Sequence, residues 1–316
     1  MKAVIIKEFG DRSKLIYTDV EKPNVCEGEV LIRIKAAGVN PVDTKIREGL
    51  LAKRVPNKLP IVLGWDLAGI VVDTGHSARR FKPGDEVYAY ARRMIIQNGT
   101  YAEYISLPES YVSHKPSNIS FEEAASVPLA GLTAFQAIFE KGKLTKNQKL
   151  LVLGASGGVG SFAIQFAKVK GATVYALAGN KRADYLKEIG ADYVLDYTQE
   201  NWPATFRDLL PEGADCVFDC VGGETTVKAY EYVKKGGTLV SILSQANPEL
   251  VDKYGITFKY LFVEPNVLQL EKIKDWLEKG KVKVSVQHVY PLKDAAKAHK
   301  QMETGHTQGK IVLQIP

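Results

Sequence analysis

LLVLGASGGVGSFAIQFAKVK, residues 150–170, is the stretch whose reading decides the fold. An apolar run, Leu150–Leu153, enters a turn holding Gly154, Gly157, Gly158 and Gly160, and an amphipathic stretch with Phe162, Ile164, Phe166 and Ala167 follows. Strand, tight glycine turn and helix are the parts with which a dinucleotide-binding unit presents backbone N–H groups to a pyrophosphate at a helix N-terminus. The nearest match to G-x-G-x-x-G is Ala155, Gly157 and Gly160, with alanine in the first place. Gly157 lets the backbone approach a pyrophosphate and Gly160 lets the helix pack closely on the strand. Ser156 offers a hydroxyl either to a phosphate or to its own turn.

C-terminal to this stretch, strand and helix patterns alternate. Strands are expected at Leu150–Gly154, Thr173–Ala178, Tyr193–Asp196, Cys216–Asp219 and Thr238–Leu243, and helices at Gly158–Lys170, Arg182–Ile189 and Thr225–Lys234. Alternating βα units predict an α/β fold with a doubly wound parallel sheet. The N-terminal part reads differently. KAVIIKEFG, EVLIRIKAAGVN and GDEVYAYA are short β-branched runs broken by Gly, Pro and Asp, which predict a small barrel or sandwich. Ser120 is placed to cap a helix that Pro128 interrupts. After Leu261 come a helical stretch, Asn266–Glu278, and a closing strand, Gly309–Ile315. The expected domains are therefore 1–123, β-rich; 124–264, dinucleotide-binding; and 265–316, a return to the first, with a ligand cleft between them.

The end of the second strand selects the cofactor. NAD-binding folds usually put Asp or Glu there, on the ribose 2′-hydroxyl. Here the chain reads Ala178-Gly179-Asn180-Lys181-Arg182, with no acid before Asp184. Arg182 suits bidentate pairing with a 2′-phosphate and Lys181 adds a point charge, so the expected cofactor is NADPH. Phe218–Gly223 and Ser241–Leu243 end later strands and are expected to border the nicotinamide.

Composition weighs against several classes. The net charge is +6, but 42 basic residues are interleaved with 36 acidic ones, unlike the concentrated basic face of a nucleic-acid binder. The chain has three cysteines, an odd and sparse set that suits a reducing compartment. On one strand Cys216 and Cys220 would lie about 13 Å apart at ~3.3 Å per residue, beyond the ~7 Å reach of a disulfide. No secretory apolar segment or membrane-length apolar run is present, and the expected location is the cytoplasm.

GVNPVDTKIREG, PIVLGWDLAGIV, FKPGDEVYA, AASVPLAGLTAFQAI, GASGGVGSFAIQFAK, LKEIGADYVLDY and GKIVLQI occur in this order. Together they resemble the zinc-independent quinone and enone oxidoreductases of the medium-chain dehydrogenase/reductase superfamily, over nearly the whole chain. The resemblance implies a Rossmann domain inserted into a GroES-like β-barrel domain, NADPH, and commonly a homodimer. It puts Asn40 near the nicotinamide ribose and the substrate, and Thr133 by the nicotinamide. Ser156, Gly157, Gly158 and Val159 would hold the pyrophosphate, and Gly179, Lys181, Arg182 and Tyr197 the adenosine phosphates. Leu243, Phe262 and Val263 would flank the nicotinamide end, with Lys310 facing the cleft.

The departures narrow the chemistry. Zinc alcohol dehydrogenases of the superfamily carry a Cys in the segment matching Gly38–Asp43, Gly-His-Glu where this chain has Gly64-Trp65-Asp66, and another Cys near Leu129. A lone Asp66 or Asp43 makes no tetrahedral zinc set, so no metal is expected. Without a Lewis acid the feasible reaction is reduction of an activated acceptor, by hydride from NADPH to a quinone or an α,β-unsaturated carbonyl. Many relatives have a tyrosine shortly after the Arg-x-Gly, where this chain reads Arg47-Glu48-Gly49-Leu50-Leu51. Asp43, Tyr88 and Tyr101 are then the candidate acids, or solvent supplies the proton. The alternatives are an enone or 2-alkenal double-bond reductase in place of a quinone reductase, and an NADPH-binding sensor or interaction protein, nucleic acid included, with little turnover.

Overall fold

The computed structural model describes residues 1–316, the side chain of Asn180 aside. The chain divides into two compact units. One is Met1–Leu129 with Glu264–Lys279 and Val284–Pro316; the other is Ala130–Val263 with Gly280–Lys283.

The first unit opens with nine strands: β1 (Lys2–Ile6), β2 (Ile16–Asp19), β3 (Glu29–Val39), β4 (Asn57–Val62), β5 (Asp66–Thr74), β6 (Glu86–Tyr90), β7 (Ile96–Asn98), β8 (Tyr104–Pro108) and β9 (Val112–His114). Helix α1 (Pro41–Arg47) follows β3, and α2 (Phe121–Ala125) and α3 (Pro128–Phe135) lead into the second unit. Ser120 caps α2 as expected. Its Oγ accepts the Glu123 N–H at 3.1 Å while the Glu123 carboxylate accepts the Ser120 N–H at 2.9 Å, a reciprocal box whose cap is worth ~1 kcal/mol.

The second unit runs β10 (Lys149–Leu153), α4 (Gly158–Lys170), β11 (Thr173–Ala178), α5 (Ala183–Glu188), β12 (Tyr193–Asp196), α6 (Trp202–Leu209), β13 (Ala214–Asp219), α7 (Glu224–Ala229), β14 (Val233–Ser241), α8 (Pro248–Tyr254) and β15 (Thr257–Tyr260). All six strands are parallel, in the order β12-β11-β10-β13-β14-β15. Numbered from β10 this is 3-2-1-4-5-6, the doubly wound dinucleotide-binding order. Its core includes Leu151, Leu153, Leu177, Val217 and Leu239 from adjoining strands and Phe206 from α6, all buried. Each such side chain contributes roughly 1.5–3 kcal/mol on leaving water.

Several elements differ from the sequence expectation. The helix expected over Thr225–Lys234 stops at Ala229, and β14 starts at Val233, five residues before Thr238. Tyr230 and Tyr232 are drawn into the core, and Gly236, at φ 78°, turns the backbone where no side chain is tolerated cheaply. Strand β15 and helix α6 were not anticipated at all. TFKY is too short to show a period, and Pro203 reads as a breaker although it sits in the first turn of α6, where proline is tolerated.

The chain returns to the first unit with α9 (Val267–Glu278), β16 (Val286–Pro291), α10 (Ala295–Glu303) and β17 (Lys310–Gln314). Its larger sheet has the order β16-β17-β3-β5-β6-β9, with β8 also on β3, and β2-β1-β4-β7 form a second sheet. Among the described residues no helix is long and apolar enough to cross a membrane.

Candidate active site

Strand register assembles the polar centre of the first unit. In the antiparallel β17–β3 pair Ile311 stands opposite Val39, so Lys310 comes beside Asn40. In β3–β5 Gly38 stands opposite Asp66, and in β5–β6 Asp66 stands opposite Tyr90. The close approach needs a glycine at 38, because a Cβ there would lie 2.5 Å from the Ala125 carbonyl oxygen and 2.9 Å from Asp66 Cβ. Four neighbouring strands thus deliver Lys310, Asn40, Asp66 and Tyr90 to one place, and α1 adds Asp43.

Lys310, Asn40, Asp66 and Asp43 form one buried network, whereas the buried Tyr90 hydroxyl beside them has no hydrogen-bond partner among the described residues. The Asn40 amide nitrogen donates to Asp66 Oδ2 at 2.9 Å, its carboxamide oxygen accepts from the Lys310 ammonium, and its backbone N–H donates to Asp43 Oδ2 at 2.8 Å. Lys310 Nζ also donates to the Val39 carbonyl at 3.3 Å and lies 3.7 Å from Asp66 Oδ2. Asp66 Oδ1 accepts the Leu129 N–H at 2.7 Å. Tyr101 donates to Asp43 Oδ2 at 3.1 Å and lies 3.3 Å from His299 Nε2. His299 Nδ1 in turn is 3.1 Å from Arg47, which donates further to Glu303 at 2.8 Å and to Glu48. Asn40, Asp43, Asp66, Tyr101, His299, Arg47 and Lys310 are all buried.

Two carboxyls share one ammonium here, and burial dominates their titration. It pushes Asp43 up to about 7 against the opposing pull of the Asn40 N–H, with Asp66 adding to the rise. Asp66 rises less, to about 6, because Lys310, Asn40 and the Leu129 N–H oppose its burial. Burial holds Lys310 below the ordinary lysine value although both carboxylates favour its charge. Asp66 is therefore the better-compensated anion. Asp43 is the less compensated of the two, and its Oδ1, buried and without a hydrogen-bond partner among the described residues, is open to a proton. Lys45, half-buried on α1, is also lowered by burial.

The other acid candidate, Tyr88, lies outside this network, its hydroxyl donating to the Leu270 carbonyl at 2.7 Å. Lys310 is buried against Asn40 and Asp66. Asp66, Arg47 and His299 had no assigned role in the sequence reading. A buried histidine on a surface-length helix carries no signal until its partners, on α1 and beside β8, are known.

The nucleotide candidates lie in the second unit at the C-terminal ends of the strands. Gly157 precedes α4 with φ −73° and ψ 170°, and no side chain caps the helix, so its first N–H groups are left to a ligand. A Cβ at Gly157 would touch only the Gly154 carbonyl, at 3.5 Å, whereas one at Gly160 would lie 2.5 Å from that oxygen and 2.8 Å from Ala155 Cα. The turn is therefore open on the side of Gly157 and closed against β10 at Gly160. Ser156, Gly158 and Val159 are partly exposed. After β11, Lys181 and Arg182 sit in a single helical turn, with Lys181 exposed. A Cβ on Gly179 would be 3.5 Å from the hydroxyl of Tyr197, which is itself exposed. Leu243 follows β14 and packs over Gly222; Phe262 and Val263 follow β15. Thr133 is buried on α3. These residues fit a dinucleotide with a basic recognition turn for its adenosine end.

Residues 26–117 match the family model for the alcohol dehydrogenase GroES-like domain, and residues 189–313 that for zinc-binding dehydrogenase. A 2-methylene-furan-3-one reductase of Solanum lycopersicum is 39% identical over 99% of this chain and 79% of its own length. This chain belongs to the quinone and enone oxidoreductases of the medium-chain dehydrogenase/reductase superfamily. An Arabidopsis thaliana member of that family, an NADPH-dependent alkenal/one oxidoreductase of the chloroplast, is 36% identical over 99% of the chain and 79% of its length. The solved Escherichia coli quinone oxidoreductase in complex with NADPH superposes with a TM-score of 0.90 at 26% identity, covering 99% of this chain and 100% of the other.

The zinc in one family description does not fit this donor set. Where the metal-binding relatives gather thiolates and imidazole, Asp66 and the Asn40 carboxamide already enclose the ammonium of Lys310. No group of three or more His, Cys, Asp or Glu side chains able to hold a metal ion occurs among the described residues, and a cation in contact with the same oxygens opposes a second one.

Proposed function

We propose that this protein is an NADPH-dependent reductase of quinones or α,β-unsaturated carbonyl compounds that works without zinc. The observation that carries the reading is the Lys310 ammonium set against Asp66 and Asn40, where zinc relatives place a metal. An alcohol oxidation that needs a Lewis acid has no support there, whereas hydride delivery to an acceptor that is already electrophilic needs chiefly position and a polar partner for its oxygen. When bound, NADPH supplies the hydride from nicotinamide C4. Hydride at the β-carbon of an enone, with one proton at the α-carbon, leaves the saturated carbonyl and NADP⁺.

In this reading the N–H groups of Gly158 and Val159 and the Ser156 hydroxyl hold the pyrophosphate over the open backbone of Gly157, and Lys181 and Arg182 pair with the 2′-phosphate beside Gly179 and Tyr197. Thr133, Leu243, Phe262 and Val263 serve the nicotinamide end. Asn40 orients the acceptor, with Asp43 behind it and Lys310 holding its carboxamide. Relatives named for enone or alkenal reduction are 36–39% identical to the chain and those named for quinone reduction 31–32%, which makes an enone the first acceptor to offer. The family resemblance supports a homodimer.

Turnover of NADPH deuterated at the transferred C4 position with a 2-alkenone tests the proposal. Deuterium on the β-carbon of a saturated ketone is expected. An unchanged alkenone together with hydroquinone formed from a p-quinone would select the quinone branch, and no product from either acceptor would leave the binding-protein alternative.

A further inference from the structure

The polar chain behind Asp43 has a direction. Arg47 is always a donor, so His299 Nδ1 accepts from it at 3.1 Å and the ring proton lies on Nε2. Burial, with the charges of Arg47 and Arg12 beside it, lowers His299 to about 3, so the ring stays neutral and this single tautomer persists. Nε2–H then donates to the Tyr101 oxygen, and the Tyr101 proton goes to Asp43 Oδ2. Burial and Asp43 together raise Tyr101 well above the usual phenol range, so it keeps that proton. The oxygen that receives it is the one that accepts the Asn40 N–H.

The chain joins α1, the segment before β8, and α10, and its arginine is tied at all ends: to the Gly10 carbonyl, Glu48, Glu303 and His299. Asp43 faces Asp66 on β5, Lys310 on β17 and Tyr101, and Tyr90 on β6, raised chiefly by its own burial, is raised further by Asp66 and Asp43. Burying Asp, Tyr, His and Arg together is costly unless every member is satisfied. Of the buried side-chain polar atoms of Asp43, Tyr101, His299 and Arg47, Asp43 Oδ1 is the one without a hydrogen-bond partner among the described residues, next to the residue that the reductase reading sets at the acceptor.

We propose that Tyr101 and His299, anchored by Arg47, are positioning residues for the reduction step, fixing Asp43 and through its shared oxygen the backbone and carboxamide of Asn40. The inference rests on Asn40 serving the acceptor as proposed above. Three variants of the full chain test it: Tyr101→Phe, which removes only the hydroxyl; His299→Leu; and His299→Gln, whose amide reaches the Nε2 position and restores the donor. Two readouts are taken, the Asp43 carboxyl titration by ¹³C NMR, assigned with Asp43→Asn, and steady-state kinetics over pH.

Loss of the Tyr101 donor removes a contact that favours the anion, so the Asp43 titration moves upward by about one pH unit in Tyr101→Phe. In His299→Leu it moves the same way by less, and His299→Gln returns toward the wild type. Turnover falls roughly tenfold in Tyr101→Phe and His299→Leu, with NADPH affinity within about twofold, because the cofactor turn is untouched. A titration that stays in place in Tyr101→Phe overturns the proposal, and so does turnover that is unchanged or that falls only with NADPH affinity. If His299→Leu does not fold, the Tyr101→Phe result decides. The titration needs no turnover, so a wild-type protein lacking reductase activity sinks the function reading and leaves the test of this chain intact.

Discussion

Asp43 holds two donors on one oxygen and none on the other, and that asymmetry has a thermodynamic consequence. Its folded-state value of about 7 lies above the ~3.9 of an unfolded aspartate. The folded protein therefore binds this proton more tightly, and the stability it contributes is complete below pH ~4 and is lost as pH rises through about 7. The loss amounts to roughly 2–4 kcal/mol. Thermal melts between pH 5 and pH 8 are expected to show wild-type stability falling relative to that of Asp43→Asn, which keeps the titration of Asp66 and the opposing one of His299, lowered to about 3 in the fold from ~6.5. Parallel curves would count against the buried-proton account. Lys310→Met removes the ammonium that two carboxyls share. It is expected to cost about 3–5 kcal/mol in urea unfolding at pH 8, and distinctly less at pH 5, where those carboxyls take up protons. A loss independent of pH would mean that Lys310 acts by packing alone.

At the scale of elements, the turn between β10 and α4 separates fold from function within four residues. A methyl group on Gly160 meets rigid backbone, at 2.5 Å and 2.8 Å, whereas one on Gly157 meets nothing closer than 3.5 Å. Gly160→Ala is expected to lose roughly 1–3 kcal/mol of stability. Gly157→Ala is expected to melt like the wild type and to bind NADPH about tenfold more weakly, a change of ~1.4 kcal/mol. Fluorescence titration with NADPH beside a thermal melt checks both, and exchanged phenotypes would refute the assignment. The turn after β11 has its own test. Lys181→Ala with Arg182→Ala is expected to raise KM for NADPH tenfold or more, on the order of two charge-assisted hydrogen bonds, and to leave KM for NADH nearly unchanged. Equal effects on both cofactors would remove the 2′-phosphate reading. These elements were legible in the sequence because their signals are local. The apolar run, the glycines and the missing acid all lie within 35 residues of Leu150, and α4, β11 and β12 appear at the expected positions. Strand β14 begins five residues before the expected Thr238 because Tyr230 and Tyr232 enter the core and end the preceding helix.

At the scale of the molecule, the two-part organisation followed from a change of rhythm, but the polar centre did not. Arg47 and His299 meet across 252 residues and Asn40 and Lys310 across 270, and no periodicity reports a contact of that range. The register of β17 on β3 and of β3 on β5 makes those contacts, and register is written in the packing of whole strands rather than in any motif. What the sequence did expose was the negative side of the site: no Cys or His where zinc relatives have them. The structure adds the positive side, a lysine ammonium against Asp66 and Asn40. That pairing leads to the measurement closest to the central claim. Pure protein is freed of metal with a chelator and offered NADPH with a 2-alkenone or a p-quinone while nicotinamide absorbance is followed. NADPH oxidation matched to product, at the rate of untreated protein, is the predicted result. No oxidation with either acceptor, or oxidation abolished by the chelator and restored by zinc, would contradict it.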